Sequence, residues 1–251
     1  MTACLAFDTA TEHLSIALQV RGRIWSHDGP GGALASSTLI PGIMDLLAQA
    51  GIDLRDLDAI AFGRGPGAFT GLRTACSVAQ GLAFGVDKPV LPIDTLLTVA
   101  EDARTRFATG VADDSVNDVW VTMDARMDEI YAAHGVFESG RWRYAAAPFL
   151  CGPQALNERW RIEPPRAIAG SALAVFGERL DSGDALRLPN ALPRARSMLP
   201  LADALWTQGG AVDAALALPL YLRDKVAQTM AERAAVKALA AAGAATREVP
   251  T

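Results

Sequence analysis

The run Gly63-Arg64-Gly65-Pro66-Gly67-Ala68-Phe69-Thr70-Gly71-Leu72-Arg73 joins two segments of opposite character. Before it, Leu57–Phe62 is an apolar run of strand length. After it, Thr70–Phe84 repeats small and apolar residues at three- and four-residue steps, the period of a helix. Four glycines and a proline at such a junction impose a strand, a tight turn and a helix in that order. Glycine admits positive φ and lets another backbone come close, and proline fixes φ on one side of the turn. The expected turn residues are Gly63, Gly65, Pro66, Gly67 and Arg73.

A phosphate cradle is the first reading to test. A Walker A loop needs a Lys before its Ser/Thr, and no lysine lies in this run. A Rossmann fingerprint needs Gly-x-Gly-x-x-Gly, but Gly65 and Gly67 are followed by Gly71, one residue too late. Asp87 stands about where a ribose-binding acid would, yet the loop comes after three apparent strands and a helix rather than after the first strand. Close helix packing fits better. Gly71, Ala75, Val78/Ala79 and Leu82 form one stripe, and Gly71, Thr74, Ser77/Val78 and Gly81 a smaller one. Each helical glycine costs about 1 kcal/mol relative to alanine. Two of them predict a backbone lying very close, either elsewhere in this chain or in a second one.

The elements on either side give the architecture. Ala3–Asp8, Leu14–Val20 and Arg23–Ser26 read as strands, with a hairpin at Arg21-Gly22 and a glycine-rich loop over 28–32. Ala33–Ala50 reads as a helix ended by Gly51 and kinked or restarted at Pro41. Val90–Pro92 and the helix Thr95–Phe107 follow the glycine segment. The order is β-β-β-α-β-α. After a polar stretch over 109–118 it begins again: strands Val119–Asp124, Glu129–Phe137 and Arg143–Leu150, helix Pro153–Trp160, strand Arg166–Ala169, and a helix from Ser171 to Arg179. Helix Pro200–Gln208, extended Pro219–Val226 and helix Thr229–Ala242 complete the chain. The expected fold is therefore α/β with two tandem β-β-β-α-β-α domains, the second smaller. The first is 1–108 together with 196–251, and the second is 109–195.

Composition excludes several classes. A net charge of −5 argues against a free-standing nucleic-acid binder, because phosphate neutralisation calls for a basic face. Arg141, Arg143, Arg159, Arg161 and Arg166 read as solvated hairpin and helix faces. Cys4, Cys76 and Cys151, odd in number and widely spaced, read as reduced thiols in a cytoplasmic protein. No basic leader is evident and no apolar run reaches the ~18 residues of a membrane span, and His13, His27 and His134 have no metal-ligand spacing and read as surface or turn residues.

The strand Leu5-Ala6-Phe7-Asp8-Thr9-Ala10-Thr11 followed by Leu14-Ser15-Ile16-Ala17-Leu18 resembles the first phosphate segment of the actin/Hsp70/sugar-kinase superfamily. Four further stretches agree with one family within it: the glycine segment, Ala79-Gln80-Gly81-Leu82-Ala83, Met123-Asp124-Ala125-Arg126-Met127-Asp128-Glu129-Ile130-Tyr131 and Pro219-Leu220-Tyr221-Leu222-Arg223-Asp224-Lys225-Val226-Ala227. Taken together, these motifs resemble the TsaB (YeaZ) family. The resemblance implies tandem actin-like (ribonuclease-H-like) domains and a role in forming N6-threonylcarbamoyladenosine, t6A, beside the anticodon of tRNAs reading codons that begin with A. It implies a non-catalytic subunit that supports the transferase TsaD together with the ATPase TsaE. ATP and metal are expected on those partners and none on this chain, with tRNA met indirectly and no membrane involved. It further implies pairing through the first two helices, with TsaD or with a second copy of the chain when alone.

Those helices here give a contact set of Leu39, Ile43, Leu46 and Leu47 with Gly71, Leu72, Thr74, Ala75, Val78, Ala79 and Leu82. Ile40, Met44, Leu47 and Gly51 form a second apolar row on the first helix. Asp8 and Thr9, with Asp124 in the second domain, are the expected vestige of a phosphate segment. Superfamily kinases place a glycine after the first acid, whereas this chain has Thr9-Ala10. Asp8 and Asp124 stay open between acids that hold magnesium or water and acids that brace turns. Two other readings are an active small-molecule kinase or acyl-phosphate enzyme, and a peptidase. The second needs a nucleophile–base pair or a metal set that the sequence does not display.

Overall fold

A computed structural model describes residues 1–107 and 114–223. The helix expected at 229–242, residues 224–226 of the expected extended segment and residues 109–113 of the polar stretch lie outside the described residues.

Strands β1 (Ala3–Asp8), β2 (His13–Val20), β3 (Arg23–Pro30), β4 (Ala59–Gly65) and β5 (Val90–Asp94) form one sheet in the order β3-β2-β1-β4-β5. Strands β6 (Asp118–Asp124), β7 (Ile130–Glu138), β8 (Arg141–Cys151), β9 (Ala167–Ala169) and β10 (Leu186–Leu188) form a second, in the order β8-β7-β6-β9-β10. Each sheet is an antiparallel three-stranded meander extended by two parallel strands. The duplication is therefore one of topology, and the fold is α/β with two actin-like lobes. Two strands depart most from expectation: β3 outruns its expected end at Ser26, and β10 has no counterpart in the expected order. β3 continues to Pro30, held by the Ser15 hydroxyl donating to Asp28 at 2.6 Å, so the glycine-rich stretch begins inside an edge strand. β10 is three residues long and carries no readable period.

Side chains alternate across each sheet, as a period of two requires. Leu5 and Phe7 of β1 face α1 (Ala35–Ala50) and α2 (Phe69–Val86), while Cys4 and Ala6 face α6 (Ala195–Thr207). Val119 and Val121 of β6 face α3 (Thr95–Phe107), while Trp120 faces α4 (Pro153–Ile162) and α5 (Ala172–Phe176). The layers exchange helices: α3 follows the first sheet in sequence but packs on the second, and α6 follows the second but packs on the first. α1 is one continuous helix, with Pro41 on its exposed side. Gly32–Ala50 is also long and apolar enough by composition to cross a membrane, but its Leu39, Ile43, Leu46 and Leu47 are buried against the first sheet.

Candidate functional site

β1 ends at Asp8, whose carboxylate is buried. Its Oδ1 accepts the Ala10 amide at 2.7 Å and its Oδ2 accepts the Thr95 hydroxyl at 3.0 Å. Thr95 Oγ1 in turn accepts the Gly65 amide at 3.2 Å. Burial pushes the Asp8 carboxyl up to about 6, opposed by the bonds from Ala10 and Thr95. A Cβ at Gly63 would overlap the Asp8 carboxylate, so the space beside it is closed by β4.

The next two residues are equally enclosed. Thr9 donates its hydroxyl to the Gly71 carbonyl at 2.8 Å, and a Cβ at Gly71 would overlap the Thr9 carbonyl. A Cβ at Gly67 would lie 2.6 Å from both Cβ and O of Ala10, and the Ala68 amide donates to that same Ala10 oxygen at 2.8 Å. The glycine segment thus presses the start of α2 onto the Thr9-Ala10 turn, and the neighbouring backbone the glycines predict belongs to this chain. Gly63 and Gly65 still belong to β4, and the turn itself begins at Pro66. Arg73 is not a turn residue. It lies exposed on α2 with its guanidinium 3.7 Å from the centre of the Phe69 ring. The residues at this position do not fit a nucleotide phosphate, since the Asp8 carboxylate already accepts from Ala10 and Thr95 and Gly67 and Gly71 are pressed against the Thr9-Ala10 backbone.

Asp124, at the corresponding end of β6, is arranged differently. Its Oδ1 accepts the Arg126 amide at 2.9 Å, its Oδ2 lies 3.3 Å from the Arg126 guanidinium, and its own amide donates to Ser171 Oγ at 3.1 Å. It lines a cleft of about 530 Å³ between the lobes, which Asp8 does not reach. Thr11, Phe69, Met123, Val175 and Tyr221 are among the other lining residues. Arg126 spans the cleft mouth to Glu12 at 2.9 Å. Arg126, Met127 and Asp128 all have left-handed backbone (φ 61, 56 and 63) without a glycine among them, and Arg223 reaches across to hold that turn. The motif at 123–131 and the described part of the last motif, 219–223, therefore meet in space, which their separation in sequence does not reveal.

The expected contact set on α1 and α2 needs correction. Leu39, Ile43, Leu46 and Leu47 are buried on the first sheet, and so are Gly71, Leu72, Ala75 and Ala79. These eight complete the chain's own core. Thr74, Val78 and Leu82 are half-buried at its edge. The outward face carries Ile40 and Met44 of α1, 45% and 49% exposed, and Phe84 of α2, 83% exposed, with Ser77, Gly81 and Gly85 beside it. Outside the local backbone of α2, no described atom lies within 4 Å of where a Cβ at Gly81 or Gly85 would be. Of the second apolar row on α1, Ile40 and Met44 are free, while Leu47 joins the core.

His134 is also corrected. It is buried, stacked on Trp120 with ring centres 4.9 Å apart, and shares a hydrogen bond of 2.7 Å with Asp118. The three cysteines are free, and burial pushes the Cys4 and Cys151 thiols up to about 12 and about 11.

Comparison with known proteins follows the same outline. The family model described as TsaD, tRNA N6-adenosine threonylcarbamoyltransferase, matches residues 34–176. The chain is 37% identical over 232 residues to the tRNA threonylcarbamoyladenosine biosynthesis protein TsaB of Haemophilus influenzae, covering 88% of this chain and 94% of that protein. The Escherichia coli protein of the same name is 35% identical over 228 residues, covering 89% of this chain and 95% of its own length. YeaZ from Pseudomonas aeruginosa superposes with a TM-score of 0.79 at 38% identity, covering 88% of this chain and all of that structure.

Proposed function

The chain belongs to the TsaB family of tRNA threonylcarbamoyladenosine biosynthesis proteins, and we propose that it serves there as a non-catalytic subunit. In this reading it supports a TsaD-type transferase, with the ATPase TsaE, in forming t6A beside the anticodon of tRNAs that read codons beginning with A, and it works in the cytosol. The observation that carries the reading is the outward face of α1 and α2. Their inner rows saturate the first sheet, so Ile40, Met44 and Phe84 are apolar surface the fold itself does not use. Small residues along α2 keep that face flat enough for another helix pair to approach. The same face would join two copies of the chain in the absence of TsaD.

One further observation supports a subunit over an enzyme: the Asp8 carboxylate is locked between Ala10, Thr95 and Gly63. The net charge of −5 leaves the main tRNA contact to the partners. An alternative reading, a small-molecule kinase or acyl-phosphate enzyme, draws on the cleft beside Asp124. ATP turnover by the isolated chain would favour it.

The test places charge on the free face. Arginine at Ala75 or Ala79 would break the core, so Ile40→Arg with Met44→Arg is the informative variant. We expect it to lose co-purification with TsaD and t6A formation in a reconstitution read by tRNA mass spectrometry, with the melting temperature little changed. A folded double variant that still copurifies and supports t6A would overturn the proposal.

A further inference from the structure

Residues 219–223 run along the cleft and grip both lobes. At the first lobe, the Leu220 amide donates to the Arg64 carbonyl at 2.6 Å, and the Leu220 carbonyl occupies the space where Gly65 lacks a side chain. Tyr221 packs on Phe69 with ring centres 5.0 Å apart, and its hydroxyl accepts from Arg73 at 3.4 Å. At the second lobe, Leu222 packs into the core beneath α3. Arg223 donates to the carbonyls of Ala125 at 3.0 Å and Arg126 at 3.3 Å, and pairs with the Glu129 carboxylate.

The turn that Arg223 holds is not one its residues would choose. Left-handed backbone brings Cβ against the following carbonyl, and only glycine, asparagine and aspartate visit it readily. Arg126 and Met127 have no such licence, so the turn persists only where its surroundings over-determine it. Of the three arginines around it, Arg126 and Arg179 are well exposed, and their pairs with Glu12 and Asp128 are surface pairs of small worth. Arg223 is the buried one, at 15% side-chain exposure, with charge-assisted bonds to a carboxylate and two carbonyls. Among the described residues its buried Nε has no acceptor, while its terminal nitrogens are all directed at the turn and at Glu129.

We propose that residues 219–223 are a strap coupling the lobes: Arg223 holds the Arg126–Asp128 turn in its left-handed state only while Tyr221 is seated on α2, and the reverse. One residue separates the two grips, so the link spans at most about 7 Å fully extended and has no slack to absorb movement at either end. The left-handed turn is the element whose equilibrium both grips would bias. The cleft mouth follows the turn, because Arg126 closes it against Glu12. This coupling is independent of the docking reading.

The test is residue-resolved amide exchange on the free full-length chain, in which failure of the coupling and failure of docking are separate results. Arg223→Ala is expected to speed exchange at Ala125 and Glu129, the amides that close the turn, by tenfold or more. It is also expected to speed exchange at Ala68 and Leu72 at the start of α2. Tyr221→Ala is expected to do the same at both places, although the ring and hydroxyl contacts of Tyr221 are with Phe69 and Arg73 of the first lobe. Reciprocity follows because a coupling free energy acts equally in both directions. Amides of β1 and β6 report the global fold. If either alanine variant loses protection there, the same two-ended comparison is made with Arg223→Lys and Tyr221→Leu. Exchange changes confined to the substituted lobe would overturn the strap.

Discussion

The enclosed state of Asp8 has a consequence that separates a bracing acid from a cleft acid. Burial raises its carboxyl from 3.8 to about 6. The folded protein therefore binds the Asp8 proton more tightly than the unfolded chain does. The stability from that proton is fully present below about pH 4 and is lost as pH rises through about 6. Linkage between these two values gives about 2 kcal/mol between pH 4.5 and pH 7.5, with the more stable side at low pH. Other acids run the opposite way: Asp58 and Asp128 are held below the usual range by hydrogen bonds from residues 2 and 3 and from Arg179. A single pH profile would mix the signs. Comparison with Asp8→Asn removes them, because they are common to both proteins. Urea unfolding at the two pH values should show the parent gaining about 2 kcal/mol on the variant as pH falls from 7.5 to 4.5. A difference constant to within about 0.5 kcal/mol would mean that Asp8 titrates as an accessible carboxylate, and the case against a working phosphate segment would fall with it.

The two apolar rows of α1 should separate cleanly in stability. Leu39→Ala, at a position with no exposure, should cost about 2–5 kcal/mol, whereas Ile40→Ala one residue later should stay within about 0.5 kcal/mol by urea unfolding. Gly71→Ala should cost about 1–3 kcal/mol despite the better helix propensity of alanine, because the added methyl meets the Thr9 carbonyl. A neutral or stabilising Gly71→Ala, seen as an unchanged or raised melting temperature, would show that α2 does not press on that turn.

Most of the framework was legible because periodicity and glycine placement act locally. The β1–β3 meander, the strand and helix either side of the glycine segment, and the repeat of that order all follow from such signals. What was not legible depends on choices made in three dimensions. α1 carries two apolar rows, and sequence alone does not say which meets the sheet. The row of Leu39, Ile43, Leu46 and Leu47 is the wider and more aliphatic, so it gains more by burial and takes the core. Ile40 and Met44 are left outside by that competition, which inverts the contact set read from spacing. The left-handed turn at Arg126–Asp128 was invisible for a related reason: it contains no glycine, and the group that stabilises it lies 95 to 97 positions away at Arg223.

The two acids at matching strand ends show how one topology yields two environments. In the first lobe the turn after β4 contains glycines wherever α2 meets the β1 turn, so an 18-residue helix can lie down on Thr9 and Ala10 and seal Asp8 beneath them. In the second lobe the equivalent turn after β9 has one such glycine, Gly170, close against Thr122, and the helix that follows has only 5 residues. Ser171 then reaches the Asp124 amide from the side, and Asp124 keeps an open edge on the cleft. The glycines that seal the first acid are also what set α2 low against its own lobe, beside α1. On this chain the same sequence device therefore encloses Asp8 and sets the level of the helix-pair face, so restoring access to Asp8 by lifting α2 should also disturb that face. A variant that opens the β1 turn to phosphate while leaving TsaD association intact would show that the two are separable and that the link is incidental.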